Sequence, residues 1–278
     1  MIILNNQDFK VRNDAKTDIE DRGYTFGDGV YEVIRVYNGK FFMLDEHLQR
    51  LQFSLNEIAI SYDVESEKLQ ERLEQLLEQN NVVDGAIYLQ ITRGIAARNH
   101  PYPKKSTPEL YAYPIPVSRP LEAQQNGIGM TLVQDMRWLR CDIKSLNLLW
   151  NVMAKQKAHE QGYKEALFYR DENHVTEGSS SNFFGVKDGK VITHPANNYI
   201  LNGITRIAIL RLCEQLQIPV EERELTLAEL EELDEAFIAS TTSEVTPVVN
   251  IDEHKFNDGT IGEVTKRLQD GFEKLIQL

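Results

Sequence analysis

Apolar positions change their period along the chain, alternating in some stretches and recurring at helical spacing in others. Alternation in "VYEVIRVYNG", Val30 to Gly39, predicts a strand, and "KFFML" reads as its hairpin return. Helical spacing then predicts one helix from Asp45 to about Ile60 and a second from about Glu65 to Asn80, before strands resume in "AIYLQITRG" and "ELYAYPIPV". Such a mixture is an α+β unit. In "YPIPVSRP" three prolines, Pro114, Pro116 and Pro120, lack the N–H a central strand needs, so a connection at about 114–122 is expected between domains 1–118 and 119–278. The second domain reads as strands "IGMTLVQD", "EALFYR", "NFFGVKDGKVITH" and "EAFIAST", with helices near 145–161, 204–217, 227–233 and 260–276. "TLAE", Thr226 to Glu229, is a capping-box signature, and the acidic run "EERELTLAELEELDE" is expected to be a solvated helix face. The fold class is therefore α/β (α+β) in two domains.

With 278 residues, each domain can bury its own core. Thirty Lys+Arg against 43 Asp+Glu leave a net charge of −13, which argues against nucleic acid or an anionic membrane surface as partner, while small anions could still meet local basic clusters. The opening "MIILNNQDF" lacks the basic and apolar regions of a signal peptide, and no apolar run approaches transmembrane length, so a cytoplasmic location is expected. Cys141 and Cys213 are far apart and lack metal-ligand spacing; a reducing compartment fits them, and no metal site is expected.

Chemistry enters with "RCDIKSLNLLW", where Lys144 stands as apolar residues begin to outnumber charged ones. Leu146, Leu149, Val152 and Met153 follow at helical spacing, which puts Lys144 at or just before the start of a partly buried helix. Burial disfavours an ammonium and can make the amine nucleophilic, although a lysine there can equally lay its stem on apolar surface with its head in water. In "TEGSSSNFFGV", Glu177 precedes a turn and an apolar strand, either aimed inward or facing solvent from a plain Ser/Gly turn. "LNGITR" puts Gly203 and Thr205 at a helix start, a place for an anion or a plain N-cap. "ASTTSEVTP" ends another strand in hydroxyls that suit a phosphate or an ST-turn. An amine, an aimed acid and two donor-rich anion sites together match the needs of pyridoxal 5′-phosphate.

On these residues the chain resembles the class IV aminotransferases, the fold-type IV pyridoxal-phosphate enzymes. "EGSSSNFFGVKDGKVITHPANNYILNGITR", Glu177 to Arg206, matches that family's signature, "EDRGYTFGDGVYEVIRVYNGK" its amino-terminal hallmark, and "HLQRL" its phosphate-binding arginine segment. The resemblance implies a smaller N-terminal and a larger C-terminal domain with the cofactor between them. It implies that Lys144 carries the cofactor, that Glu177 pairs with the pyridine nitrogen, and that Arg50, Ile204, Thr205 and Thr241 hold the phosphate. In "ITRGIAARNHPYP", the Arg98-x-His100 spacing resembles the carboxylate clamp of D-amino acid aminotransferases, and Tyr31 matches the tyrosine that completes it. The implied activity is a ping-pong transfer from a D-amino acid of the D-alanine type to a 2-oxo acid such as 2-oxoglutarate. Branched-chain L-amino acid aminotransferase and aminodeoxychorismate lyase, which share the cofactor site, are the alternatives. A homodimer is implied too, because in the family the clamp loop reaches the neighbouring subunit's site. Trp150, Met153, Phe168 and Tyr169 are expected to be core, which leaves the preferred side chain open.

Overall fold

The computed structural model describes residues 1–171 and 174–277, and the chain divides into two compact units. The first comprises residues 1–118 together with 143–147, and the second residues 119–142 and 148–278.

In the first unit six strands, β1 (Ile2–Asn5), β2 (Asp8–Val11), β3 (Gly29–Tyr37), β4 (Lys40–Phe41), β5 (Gly85–Thr92) and β6 (Glu109–Ile115), form one antiparallel sheet in the order β2-β1-β6-β5-β3-β4. Three helices accompany it, the short α1 (Arg22–Phe26), then α2 (Leu44–Glu57) and α3 (Leu69–Gln79). The alternation that predicted β3 has a physical basis: Val30, Ile34 and Val36 join Leu51, Leu55, Leu73 and Leu76 of α2 and α3 in one core. Pro114 lies within β6, opposite Ile87 of β5, where the sequence predicted a connection. It is tolerated because β1 pairs with β6 only through Ala112, so beyond that residue one edge of the strand needs no N–H.

The segment 143–147 explains why it groups with this unit. The Tyr31 N–H donates to the Lys144 carbonyl at 3.0 Å, the Leu146 N–H to Gly29 at 3.0 Å, and Ser145 bridges Val30. β4 pairs only with Val36 and Tyr37, so the Lys144 segment takes the edge of β3 that β4 leaves open. Gly29 is required there, since a Cβ would meet the Ile91 carbonyl at 2.7 Å and Leu146 at 2.8 Å.

The second unit holds α4 (Leu121–Asn126), β7 (Ile128–Gln134), α5 (Leu149–Glu160), β8 (Glu165–Arg170), β9 (His174–Gly178), β10 (Asn182–Lys187), β11 (Lys190–Thr193) and α6 (Ile204–Gln215). It continues with β12 (Val220–Glu222), β13 (Leu225–Thr226), α7 (Leu227–Leu230), β14 (Glu235–Ser240), β15 (Glu244–Ile251), β16 (His254–Lys255) and α8 (Glu263–Ile276). Its mixed sheet runs β12-β11-β10-β14-β15-β7-β8-β9-β13, with β16 beside β15. β7 is parallel to both β15 and β8. Thr226 and Glu229 make the expected capping box, but α7 ends at Leu230, short of residue 233. The acidic run is not a single solvated face either. Glu235 is buried and accepts the N–H groups of Val264 and Thr265, so it caps α8.

Candidate active site

Lys144 is half-buried, and its Nζ stands 4.3 Å from the centre of the Tyr31 ring. It does not open a helix. α5 begins at Leu149, and Leu149, Val152 and Met153 are exposed, at 74%, 60% and 51%; Ala154 and Ala158 are what that helix buries. The lysine is placed instead by extended backbone on β3, with its own N–H donated to Ser54 Oγ of α2 at 3.2 Å. Tyr31 stacks on Tyr88, whose ring meets that of Tyr113 at a tilt, which gives the lysine's neighbour an aromatic backing. Burial pushes the Tyr88 hydroxyl pKa up, so that ring stays a neutral phenol.

One residue along β3, Glu32 points to the opposite face and is fully buried among apolar side chains. It survives there because α2 brings two partners. Arg50 grips it in bidentate fashion, Nε to Oε1 at 2.8 Å and NH2 to Oε2 at 2.7 Å, while His47 Nδ1 lies 2.7 Å from Oε2. Burial opposes ionisation of Glu32, but the Arg50 guanidinium and His47 outweigh it and bring its pKa down to about 2. Burial pushes His47 down against the pull of Glu32, with Arg50 and Lys144 adding to the fall, so the imidazole acts as a neutral N–H donor. Arg50 is thus oriented by Glu32, a partner that the sequence reading missed. Its signal was a lone acid among the inward positions of β3.

In the second unit Glu177 lies at the end of β9, buried rather than facing solvent. Its Oε1 accepts from Arg137 NH1 at 2.7 Å, and its Oε2 from Asn182 Nδ2 and the Leu201 N–H, both at 3.1 Å. Burial raises the Glu177 pKa, and Arg137 opposes the rise. Arg137 is itself clamped by Asp135, through Nε at 2.9 Å and NH2 at 2.8 Å, and Arg170 Nε meets the same carboxylate at 3.0 Å. Burial works against the Asp135 charge, but Arg137 and Arg170 hold its pKa low. The serines after Glu177 turn inward: Ser180 and Ser181 donate to the buried Glu165 at 2.9 and 3.4 Å, Ser179 does so as well, and Lys155 pairs with it at 3.1 Å. None of Arg137, Asp135, Asn182 or Glu165 was singled out from the sequence.

Gly203 is the N-cap of α6, and no side chain caps it, so the helix presents its first N–H groups at buried Ile204 and Thr205. Thr241 is half-buried in the tight turn between β14 and β15, where the Ser243 N–H donates to Ser240 Oγ at 3.0 Å. That is an ST-turn, and it does not use the Thr241 hydroxyl. Arg98 and His100 are exposed and meet at Phe26, whose ring centre lies 4.9 Å from the Arg98 guanidinium and 5.6 Å from the His100 ring. Cys141 and Cys213 are buried, and burial pushes each thiol up to about 11, so neither is a ready nucleophile. Of the residues expected as core, Phe168 is fully buried, whereas Trp150 and Tyr169 are half-buried and Met153 is exposed. Among the described residues, no cluster of three potential metal ligands occurs, and no helix is long and apolar enough to cross a membrane.

The profile of the amino-transferase class IV family matches residues 29–251, which span the lysine segment, Glu177 and α6. The chain belongs to that family. Class IV relatives include the D-alanine aminotransferase of Staphylococcus aureus strain N315, 48% identical over 99% of this chain and 98% of that protein. That of Bacillus licheniformis is 49% identical over 99% and 97%. Among solved structures, the branched-chain amino acid aminotransferase of Escherichia coli superposes with a TM-score of 0.92 at 28% identity, covering 99% of this chain and 94% of that one. The 4-amino-4-deoxychorismate lyase of Pseudomonas aeruginosa gives 0.86 at 27%, covering 98% of each. The fold is therefore that of the fold-type IV aminotransferases, built here from two α+β units.

Proposed function

We propose that the protein is a pyridoxal 5′-phosphate-dependent D-amino acid aminotransferase, which moves the amino group of D-alanine to a 2-oxo acid such as 2-oxoglutarate and yields pyruvate and D-glutamate. One observation carries this reading: identity near half over almost the whole chain to D-alanine aminotransferases, against 27–28% to the branched-chain and lyase neighbours.

The residues suit the cofactor. The Glu177 oxygens accept three protein donors, and a carboxylate offers about four acceptor sites, so one remains for a protonated ring nitrogen. Lys144 offers the amine. Arg50, the N–H end of α6 at Ile204 and Thr205, and the Thr241 hydroxyl are the donors proposed for the phosphate. When bound, the cofactor supplies an aldehyde that condenses with amines and a ring that accepts electrons. Lys144 Nζ is the base that takes the proton from the substrate α-carbon, and Glu177 keeps a proton on the ring nitrogen. Tyr31, Arg98 and His100 hold the substrate carboxylate, which fixes the enantiomer whose α-hydrogen faces Lys144.

The protein acts as a homodimer in this reading, with Arg98 and His100 serving the neighbouring subunit's site. Support comes from exposed apolar side chains just before α1, on α1 and in that loop, Ile19 at 79%, Tyr24 at 77% and Tyr102 at 58%, which a neighbouring subunit would cover. A cytoplasmic location goes with two buried free thiols. The test is turnover of D-alanine with 2-oxoglutarate against L-alanine and L-leucine with the same acceptor. The D reaction is expected to dominate; preference for L-leucine would select the branched-chain activity instead.

A further inference from the structure

The loop that bears Arg98 and His100 has almost no backbone support of its own. Between residues 97 and 108 there is no helix or strand. Among the described residues, the hydrogen bonds to its backbone come from one side chain, that of Arg22. Arg22 NH1 donates to the Asn99 carbonyl at 2.6 Å and NH2 to the His100 carbonyl at 3.3 Å. The guanidinium lies 4.7 Å from the centre of the Phe26 ring, the same ring that Arg98 and His100 approach.

Arg22 is buried, and the anchor that holds it is Asp28. Its Nε donates to Asp28 Oδ2 at 2.7 Å, and Arg93 takes the same carboxylate in bidentate fashion at 2.8 and 2.9 Å. Arg93 in turn donates to the Ile58 and Ala59 carbonyls just past α2, at 2.6 and 2.8 Å. Burial raises the Asp28 pKa, but its two arginines win and hold it below the usual carboxylate range, so the anchor stays charged. A chain of fixed contacts thus runs from the end of α2, through Arg93, Asp28 and Arg22, to the backbone of Asn99 and His100.

We infer that Arg22 and Phe26 are positioning residues for the substrate-carboxylate trap: the Arg22 fork on two loop carbonyls and the Phe26 ring set where Arg98 and His100 stand. The inference rests on the reading that Arg98 binds the substrate carboxylate. A guanidinium fork suits the task because it holds two acceptors in one plane, which a lysine cannot. Displacing the trap by about an ångström is worth roughly 10- to 100-fold in productive binding. The loss should fall on substrate affinity, because neither residue is among those proposed to hold the cofactor.

The experiment compares Arg22→Lys, Arg98→Ala and the double variant, each loaded with cofactor. Arg22→Lys is expected to raise KM for D-alanine and for 2-oxoglutarate by roughly 10- to 100-fold, to leave kcat within about threefold, and to lower the ratio of D- to L-alanine turnover. Inhibition by propionate, a carboxylate that cannot react, should weaken in parallel, with the absorbance of the bound cofactor unchanged. The double variant should lose less than the product of the two single losses, because both act through one trap. A support without this role would instead lower kcat and cofactor retention, and its loss would add to that of Arg98; either result overturns the inference. Phe26→Leu keeps the ion pairs and makes the same comparison should Arg22→Lys fail to fold. If Arg98→Ala itself leaves KM and propionate inhibition unchanged, the trap reading falls and takes the inference with it. If Arg98→Ala raises KM and neither Arg22→Lys nor Phe26→Leu does, the inference alone falls.

Discussion

Burial raises the Glu177 pKa, and the Arg137 guanidinium at 2.7 Å works against that rise. A neutral amide at that position could not favour a charged ring nitrogen. Glu177→Gln should therefore retain cofactor but lose roughly 100-fold or more in kcat, the scale of removing one preorganised electrostatic partner; near wild-type turnover would mean that another acid does this work. Lys144 makes a separate claim. Borohydride reduction of the loaded protein followed by peptide mapping should find the pyridoxyl label on Lys144, and a label on Lys155 or Lys157 would reject the assignment. Glu32 carries a prediction about pH. Its folded pKa of about 2 lies below the unfolded value of 4.5, so its contribution to stability is complete above pH 4.5 and disappears as pH falls towards 2. From about pH 6 to about pH 3 the native protein should lose about 2 kcal/mol more unfolding free energy than Glu32→Gln, measured by urea titration. Equal losses would show that Glu32 is not a depressed acid.

At the scale of elements, α6 begins where backbone, not side chain, must come close. A Cβ on Gly203 would strike the Asn182 side-chain oxygen, and Asn182 Nδ2 donates both to Glu177 and, at 2.8 Å, to the Leu201 carbonyl. Gly203→Ala should disturb Glu177 and the helix start together, lowering cofactor affinity by roughly tenfold or more in equilibrium dialysis; unchanged affinity would separate α6 from the cofactor. Gly203 was legible in the sequence, as were β3, α2, α3, α6 and the capping box of α7, because period and cap residues are local signals. Lys144 was legible as a residue but not as an element. Leu149, Val152 and Met153 keep helical spacing while facing outward, so periodicity alone suggested a burial that the helix does not have. Asp135 and Arg137 were hidden for another reason: their partners, Arg170 and Glu177, are brought beside them by strand pairing far along the chain, which no local pattern reports. Pro114 misled in the opposite sense, since the rule against proline in a central strand applies only where a neighbour needs its N–H.

For the whole molecule, a net charge of −13 disfavours polyanionic partners, and any self-association must overcome it through apolar contact. Exposed Ile19, Tyr24 and Tyr102, before α1, on α1 and in the loop of Arg98 and His100, are the apolar side chains proposed for it. The proposed dimer should sediment at twice the chain mass. Tyr24→Asp, at an exposed position, should shift it towards monomer and lower specific activity on dilution. A monomer with full activity would show that one chain completes the trap alone. The reaction itself is most directly tested by a single half-reaction. Protein loaded with cofactor is mixed with D-alanine and no acceptor, and pyruvate is counted while the absorbance of the cofactor is followed. The account predicts a spectral change with one pyruvate released per site, reversal by 2-oxoglutarate with formation of D-glutamate, and a far slower change with L-alanine or L-leucine. A change driven by L-leucine but not by D-alanine, or no change with any amino acid, would contradict it.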